Sequence, residues 1–190
     1  VCLDNQALLA VTESLASVVA PLDIRRHLAL LPLSTLLENI GGLYLPLWLG
    51  ACSVLPGMAE LGWQGASGFQ APLALEAIDR YQPNSLIAVP QLLQALVDEA
   101  PKAPRSLCFV AVGGATVAPT LLANAQQSGW PVYEGYGLSE CTSVVCLNRP
   151  GEPNCGVGRP LPHAQVRLDD NGQLLVRGAL EEPIRLIGVG

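Results

Sequence analysis

Residues 106–140 read SLCFVAVGGATVAPTLLANAQQSGWPVYEGYGLSE. Leu107–Val112 is a short apolar run rich in β-branched and aromatic residues, and it stops at Gly113-Gly114. Pro119 suits the first turn of a helix, and Gly129 suits its end. Pro131–Tyr136 reads as a second strand, running into a polar, glycine-bearing stretch, Tyr133–Glu140. Strand, helix of about ten residues, strand is the pattern of a parallel βαβ unit.

The rhythm extends toward the N-terminus. Asp4 or Asn5 is placed to cap a helix whose apolar residues, Leu8, Leu9, Val11, Leu15, Val18 and Val19, recur on one face. His27–Leu33 reads as a short buried strand. Thr35 and Glu38 have capping-box spacing at the start of a second helix. Ala51–Leu55, Ser85–Val89 and Leu107–Val112 are strands, and Pro72 and Pro90 open the helices between them. The expected fold is therefore α/β, a mostly parallel sheet flanked by helices. From Arg149 the texture turns loop-like, and Asp170-Asn171-Gly172 joins two antiparallel strands. The expected division is an α/β subdomain over 1–150 and the start of a small β subdomain over 151–190.

Charged residues are 14 % of the 190, against about 25 % in ordinary domains. The net charge is -6, and Arg25-Arg26, read as a solvated helix edge, is the only basic pair. No basic cluster exists to neutralise phosphates, which excludes a nucleic-acid partner. Two uncharged stretches, 39–59 and 106–133, are long enough to span a bilayer, but glycines and prolines break both, so no transmembrane segment is expected. The six cysteines lack paired spacing. Cys52 and Cys108 sit in apolar runs and read as buried, reduced thiols. Cys141, Cys146 and Cys155 with His163 lack the CxxC pair that a metal site would favour. The opening residues do not read as a signal peptide, and a cytoplasmic location is expected. The low charge also suggests apolar faces through which the chain would self-associate.

Ligands of open parallel sheets bind beyond the carboxyl ends of the strands. Two successive strands here end in Ala111–Thr116 and Tyr133–Glu140. Glycines at 113, 114, 135 and 137 allow a close backbone approach. Tyr136 offers a flat face for a base, Ser139 a hydroxyl for phosphate, and Glu140 a hard oxygen for Mg²⁺. From spacing alone this is a nucleotide site, or simply two turns and a helix cap.

The motifs, in order, resemble those of the adenylate-forming enzymes: acyl-CoA synthetases, luciferases and peptide-synthetase adenylation domains. YEGYGLSE resembles that family's Tyr-Gly-x-Thr/Ser-Glu motif. Val1–Leu3 looks like the strand after its phosphate loop, and LPLSTLLE like the motif that often carries histidine. AVPQLLQAL and VGGATVAPTLL resemble the segments leading to the adenine site, and GVGRPLPHAQVRL with GQLLVRG the β region that follows.

The resemblance implies a site for ATP and AMP. Tyr136 would stack on adenine, with Glu134 and Gly135 along its edge and Gly137 and Leu138 completing the stretch. Gly113, Gly114 and Ala115 would form the opposite wall and the passage to the acyl group. Ser139 would touch phosphate and, with Glu140 as the Mg²⁺ ligand, carry the catalytic roles. Thr35 would face the acid, where the family often has histidine. The implied reaction joins a carboxylic acid, of the fatty-acid type, to ATP and then to coenzyme A. The phosphate loop, the ribose-gripping aspartate and the catalytic lysine would lie outside these residues, so the segment is expected to be an inactive piece of a ligase. The competing expectations are a free-standing, non-catalytic nucleotide-binding module and a structural interaction domain.

Overall fold

The computed structural model describes residues 3–65, 68–154 and 156–178, and the backbone of 184–185. The expected strand at Val1–Leu3 and any role of Cys155 fall wholly or largely outside them. The strands are β1 (Arg26–Leu28), β2 (Cys52–Val54), β3 (Trp63–Gln64), β4 (Gly68–Phe69), β5 (Ser85–Ala88) and β6 (Phe109–Val112). They continue with β7 (Val132–Leu138), β8 (Ser143–Leu147), β9 (Arg159–Pro160), β10 (Gln165–Leu168), β11 (Leu174–Arg177) and β12 (Ile184–Arg185). The α-helices are α1 (Asn5–Val19), α2 (Leu36–Glu38), α3 (Leu45–Trp48), α4 (Ala71–Tyr81), α5 (Pro90–Glu99) and α6 (Pro119–Gln127).

A seven-stranded sheet has the order β2-β1-β5-β6-β7-β8-β9. β2, β1, β5, β6 and β7 are parallel to their neighbours. β10, β11 and β12 form a separate antiparallel sheet, joined through the Asp170–Gly172 turn as its sequence indicates. The α/β reading thus holds, with one addition. β7 changes partners along its length: Val132–Glu134 pair in parallel with β6, and Gly135–Leu138 pair antiparallel with β8. β8 carries no turn signal of its own in the sequence, because the segment before it turns through the short 3₁₀ helix Ser139–Cys141 instead of a glycine.

Local chemistry explains the element starts. Asp4 caps α1 by accepting from the Ala7 amide at 2.6 Å. Pro72, Pro90 and Pro119 occupy the first turns of α4, α5 and α6, where a missing N–H costs nothing. Those three helices cover one sheet face through Leu86, Ala88, Val110, Val112 and Val132. The other face is covered by α1 and the α2–α3 segment around Ile40, Leu45, Phe109 and Leu147.

Three local readings are corrected. Thr35 does precede α2, but its side chain makes no capping bond, and the Glu38 side chain is turned into the interior. α2 then runs into a π-helical turn, Asn39–Tyr44, before α3. Arg25 and Arg26 stand at the start of β1, not on a helix, and Arg25 pairs with Asp23. Cys52 is exposed, because β2 is an edge strand.

Candidate active site

The parallel register sets Val112 beside Glu134, so the segments that follow β6 and continue β7 meet at the carboxyl end of the sheet. A Cβ built on Gly113 would lie 3.1 Å from the Gly135 carbonyl oxygen, which measures how closely the two backbones approach. Gly114 has φ +82°, a conformation that glycine adopts without strain. A Cβ on Gly137 would overlap the Ser143 carbonyl, and the β7–β8 register shifts between Tyr136 and Gly137. The bulge re-aims the strand at the point where the Tyr136 side chain is presented.

Beyond it, Ser139 and Glu140 are exposed on the 3₁₀ turn. The turn ends with two consecutive non-glycine residues at positive φ, Thr142 at 59° and Ser143 at 81°. Such backbone costs roughly 1–3 kcal/mol per residue and persists only where packing enforces it. Here Cys141, Thr142 and Ser143 are all buried.

These residues border one cavity of about 410 Å³. Thr35, Gly113, Gly114, Tyr136, Ser139 and Glu140 line it, together with Gly135, Gly137 and Leu138. Ala115 is exposed and Glu134 is buried, and neither lines the cavity. The Glu134 carbonyl accepts from Asn148, and burial pushes the Glu134 carboxyl above its ordinary range. Burial, and then the neighbouring Cys141 and Cys146, push the Tyr136 hydroxyl up. Both of those thiols are themselves raised by burial, the environment of structural cysteines.

The cavity extends away from the glycines along the face that carries α1. Leu15, Ile24, Leu45, Ile87 and Phe109 give it an apolar wall. At its far end stand His27 and Ser85, cross-strand neighbours on β1 and β5. His27 Nδ1 is 2.9 Å from Ser85 Oγ, and Nε2 is 2.7 Å from Glu38 Oε1. The second Glu38 oxygen accepts from the Leu31 amide at 3.1 Å. Sequence reasoning missed this cluster, having assigned Glu38 to a helix cap. The available signal was a histidine inside an apolar strand and a carboxylate in an otherwise uncharged helix.

No helix among the described residues is long and apolar enough to cross a membrane. The family model described as AMP-binding enzyme matches residues 1–180. A 2-succinylbenzoate–CoA ligase of Bacillus subtilis (strain 168) is 28 % identical over 109 residues, covering 56 % of this chain and 22 % of that protein. The long-chain-fatty-acid–CoA ligase FadD15 of Mycobacterium bovis is 40 % identical over 75 residues, covering 38 % of this chain and 12 % of that protein. The matched segments span less than a quarter of these relatives, and the chain corresponds to only part of their length. The structure of O-succinylbenzoate coenzyme A synthetase from Bacillus subtilis in complex with AMP superposes with a TM-score of 0.73 at 22 % identity, over 92 % of this chain and 36 % of that one. Ordered motifs, a mostly parallel sheet and a family match over nearly the whole chain agree: this chain belongs to the AMP-binding enzyme family.

Proposed function

We propose that the chain forms the nucleotide- and acyl-binding part of an ATP-dependent acid–thiol ligase. The observation that carries this reading is a single cavity bordered by the glycine-bearing ends of β6 and β7 at one end and by an apolar wall at the other. Such a shape suits a nucleotide and a carboxylic acid held end to end, and alignment of two reactants is itself a large part of catalysis.

In this reading Tyr136 stacks on adenine. The close approach at Gly113, Gly114 and Gly135 admits the base and the nascent acyl-phosphate link. Ser139 donates to phosphate. Among the described residues no three His, Cys, Asp or Glu side chains converge on a metal position. Glu140 would hold Mg²⁺ carried in by the nucleotide phosphates, and the cation would supply charge neutralisation there. The acid's carboxylate oxygen attacks the α-phosphorus, the bond to the pyrophosphate oxygen breaks, and pyrophosphate leaves. A thiol, coenzyme A, then displaces AMP to give a thioester. The relatives include both a succinylbenzoate ligase and a long-chain fatty-acid ligase; the apolar wall favours a largely hydrocarbon acid.

The separate β10–β12 sheet supports treating 151–190 as the start of a small β subdomain. The exposed Leu47 and Trp48 on α3 support self-association through that face. A cytoplasmic location belongs to the same proposal.

The experiment is acid-dependent exchange of labelled pyrophosphate into ATP by the full-length protein that carries this chain, over a panel of carboxylic acids. Exchange that depends on one class of acid supports the ligase. Nucleotide binding with no exchange for any acid would favour a non-catalytic module.

A further inference from the structure

The far end of the cavity is polar by construction. Ser53 on β2, His27 on β1 and Ser85 on β5 lie in one cross-strand row. Ser53 Oγ donates to the Gly42 carbonyl at 2.8 Å, tying the π turn to the sheet. Glu38 is fully buried, His27 and Ser85 are nearly so, and all three sit among leucines and isoleucines. Burying a carboxylate, an imidazole and a hydroxyl is costly unless each is partnered. A π turn inside a helical segment is itself frequent at functional sites.

Counting donors and acceptors shows what remains free. Glu38 has both oxygens engaged, one by the Leu31 amide and one by His27 Nε2. His27 Nδ1 has Ser85 Oγ as its partner. A hydroxyl has one donor and two acceptor positions, and among the described residues Ser85 Oγ has no other hydrogen bond. Whichever of Ser85 and Nδ1 supplies the proton, the Ser85 oxygen keeps unused capacity, and Ser85 is one of the residues that line the cavity. If Ser85 donates, it presents acceptors for a hydroxyl. If Nδ1–H donates, Ser85 presents its own O–H to a carbonyl.

The row lies a known way down the sheet. Ser85 is in register with Phe109, and Val112, beside the glycines, lies three residues further along the strand. At about 3.3 Å per residue this is roughly 10 Å. No lysine or arginine lines the cavity among the described residues, and Glu38 offsets any charge on His27. A second carboxylate at that depth would have no counter-ion.

Resting on the ligase reading above, we propose that Ser85 is a specificity contact for a neutral oxygen on the acid, a hydroxyl or a carbonyl, about 10 Å from its carboxylate. His27 and Glu38 are positioning residues that fix the Ser85 hydroxyl. The substrate class is then an apolar acid oxygenated near its far end, not an unadorned hydrocarbon acid or a diacid.

The test compares kcat/KM for pyrophosphate exchange by the full-length protein with 9-oxodecanoic, 9-hydroxydecanoic and decanoic acids, and with sebacic acid as the diacid. The expected result is preference for an oxygenated monoacid over both others. Ser85→Ala should reduce that preference roughly tenfold, the loss of one hydrogen bond. Glu38→Gln, which keeps the side chain's shape, should reduce it as well. A cluster that only braces the fold would lower stability in these variants and leave the ratio of acids where it was, which would overturn the proposal. So would preference for decanoic or sebacic acid by the unaltered protein, and that measurement needs no variant. Exchange with none of the acids in a wider panel would instead overturn the ligase reading, and this proposal with it.

Discussion

Gly42 lies against the Glu38 carboxylate so closely that a methyl on its Cα would overlap Glu38 Oε1 and come 2.7 Å from His27 Nε2. The π turn thus approaches the buried pair at a distance only glycine allows. Gly42→Ala should destabilise the protein by about 1–3 kcal/mol through overpacking, although alanine is the better helix former. Gly57, with open space around it, is the control: Gly57→Ala should stay within about 0.5 kcal/mol. Urea unfolding midpoints of the two variants check this, and equal midpoints would mean that the turn shifts freely.

Gly137→Ala should be more damaging, because the added methyl meets the Ser143 backbone carbonyl and not a flexible side-chain end. Strand β7 would have to leave β8 at the bulge that presents Tyr136. We expect a stability loss of about 3 kcal/mol or more. Nucleotide affinity should also fall, as read by calorimetric titration with AMP. Intact AMP binding in a folded Gly137→Ala protein would separate the bulge from the nucleotide site.

Glu134 offers a pH signature. Burial raises its folded-state pKa above the unfolded value. The folded protein therefore holds the proton more tightly, and the stabilisation this gives is fully present below the unfolded pKa. It is lost as pH rises from the ordinary carboxylate range through the raised folded value. Glu134→Gln removes that dependence. The difference in unfolding free energy, Gln variant minus wild type, should become more positive as pH rises through that window and level off above it. A pH-independent difference would mean that the carboxyl reaches water.

How much of this was legible in the sequence depends on the range of the signal. Pro72, Pro90 and Pro119 mark helix starts because a ring without an N–H acts locally, and Asp170-Asn171-Gly172 marks a hairpin for an equally local reason. The juxtaposition of Gly113 with Gly135 follows from the βαβ rule that sequential parallel strands become neighbours. Glu38 was misread because its side-chain partner lies outside the helix: His27 is 11 residues away, and the partner of His27 in turn, Ser85, is 58 residues from it. Capping-box spacing is a local pattern, and here a buried hydrogen-bonding site overrode it. Strand β8 was missed for a similar reason. The reversal before it relies on Thr142 and Ser143 at positive φ, a strain enforced by tertiary packing that no turn residue announces.

Glu140 is exposed at the cavity border, on a 3₁₀ turn whose following residues, Thr142 and Ser143, are buried in enforced conformations. The backbone beneath the carboxylate is thus held by packing and not by Glu140 itself. Glu140→Gln keeps the shape and removes one charge, so folding stability should change by no more than about 0.5 kcal/mol. A hard divalent cation loses a charged oxygen ligand, and the amide that replaces it binds Mg²⁺ far less well. The half-saturating Mg²⁺ concentration for pyrophosphate exchange by the full-length protein should rise roughly tenfold, the equivalent of about 1.4 kcal/mol. Saturating Mg²⁺ should recover most of the rate, since the nucleotide phosphates still bring the cation. An unshifted Mg²⁺ requirement, with normal exchange, would show that Glu140 does not hold the metal and that the strain beneath it serves some other contact.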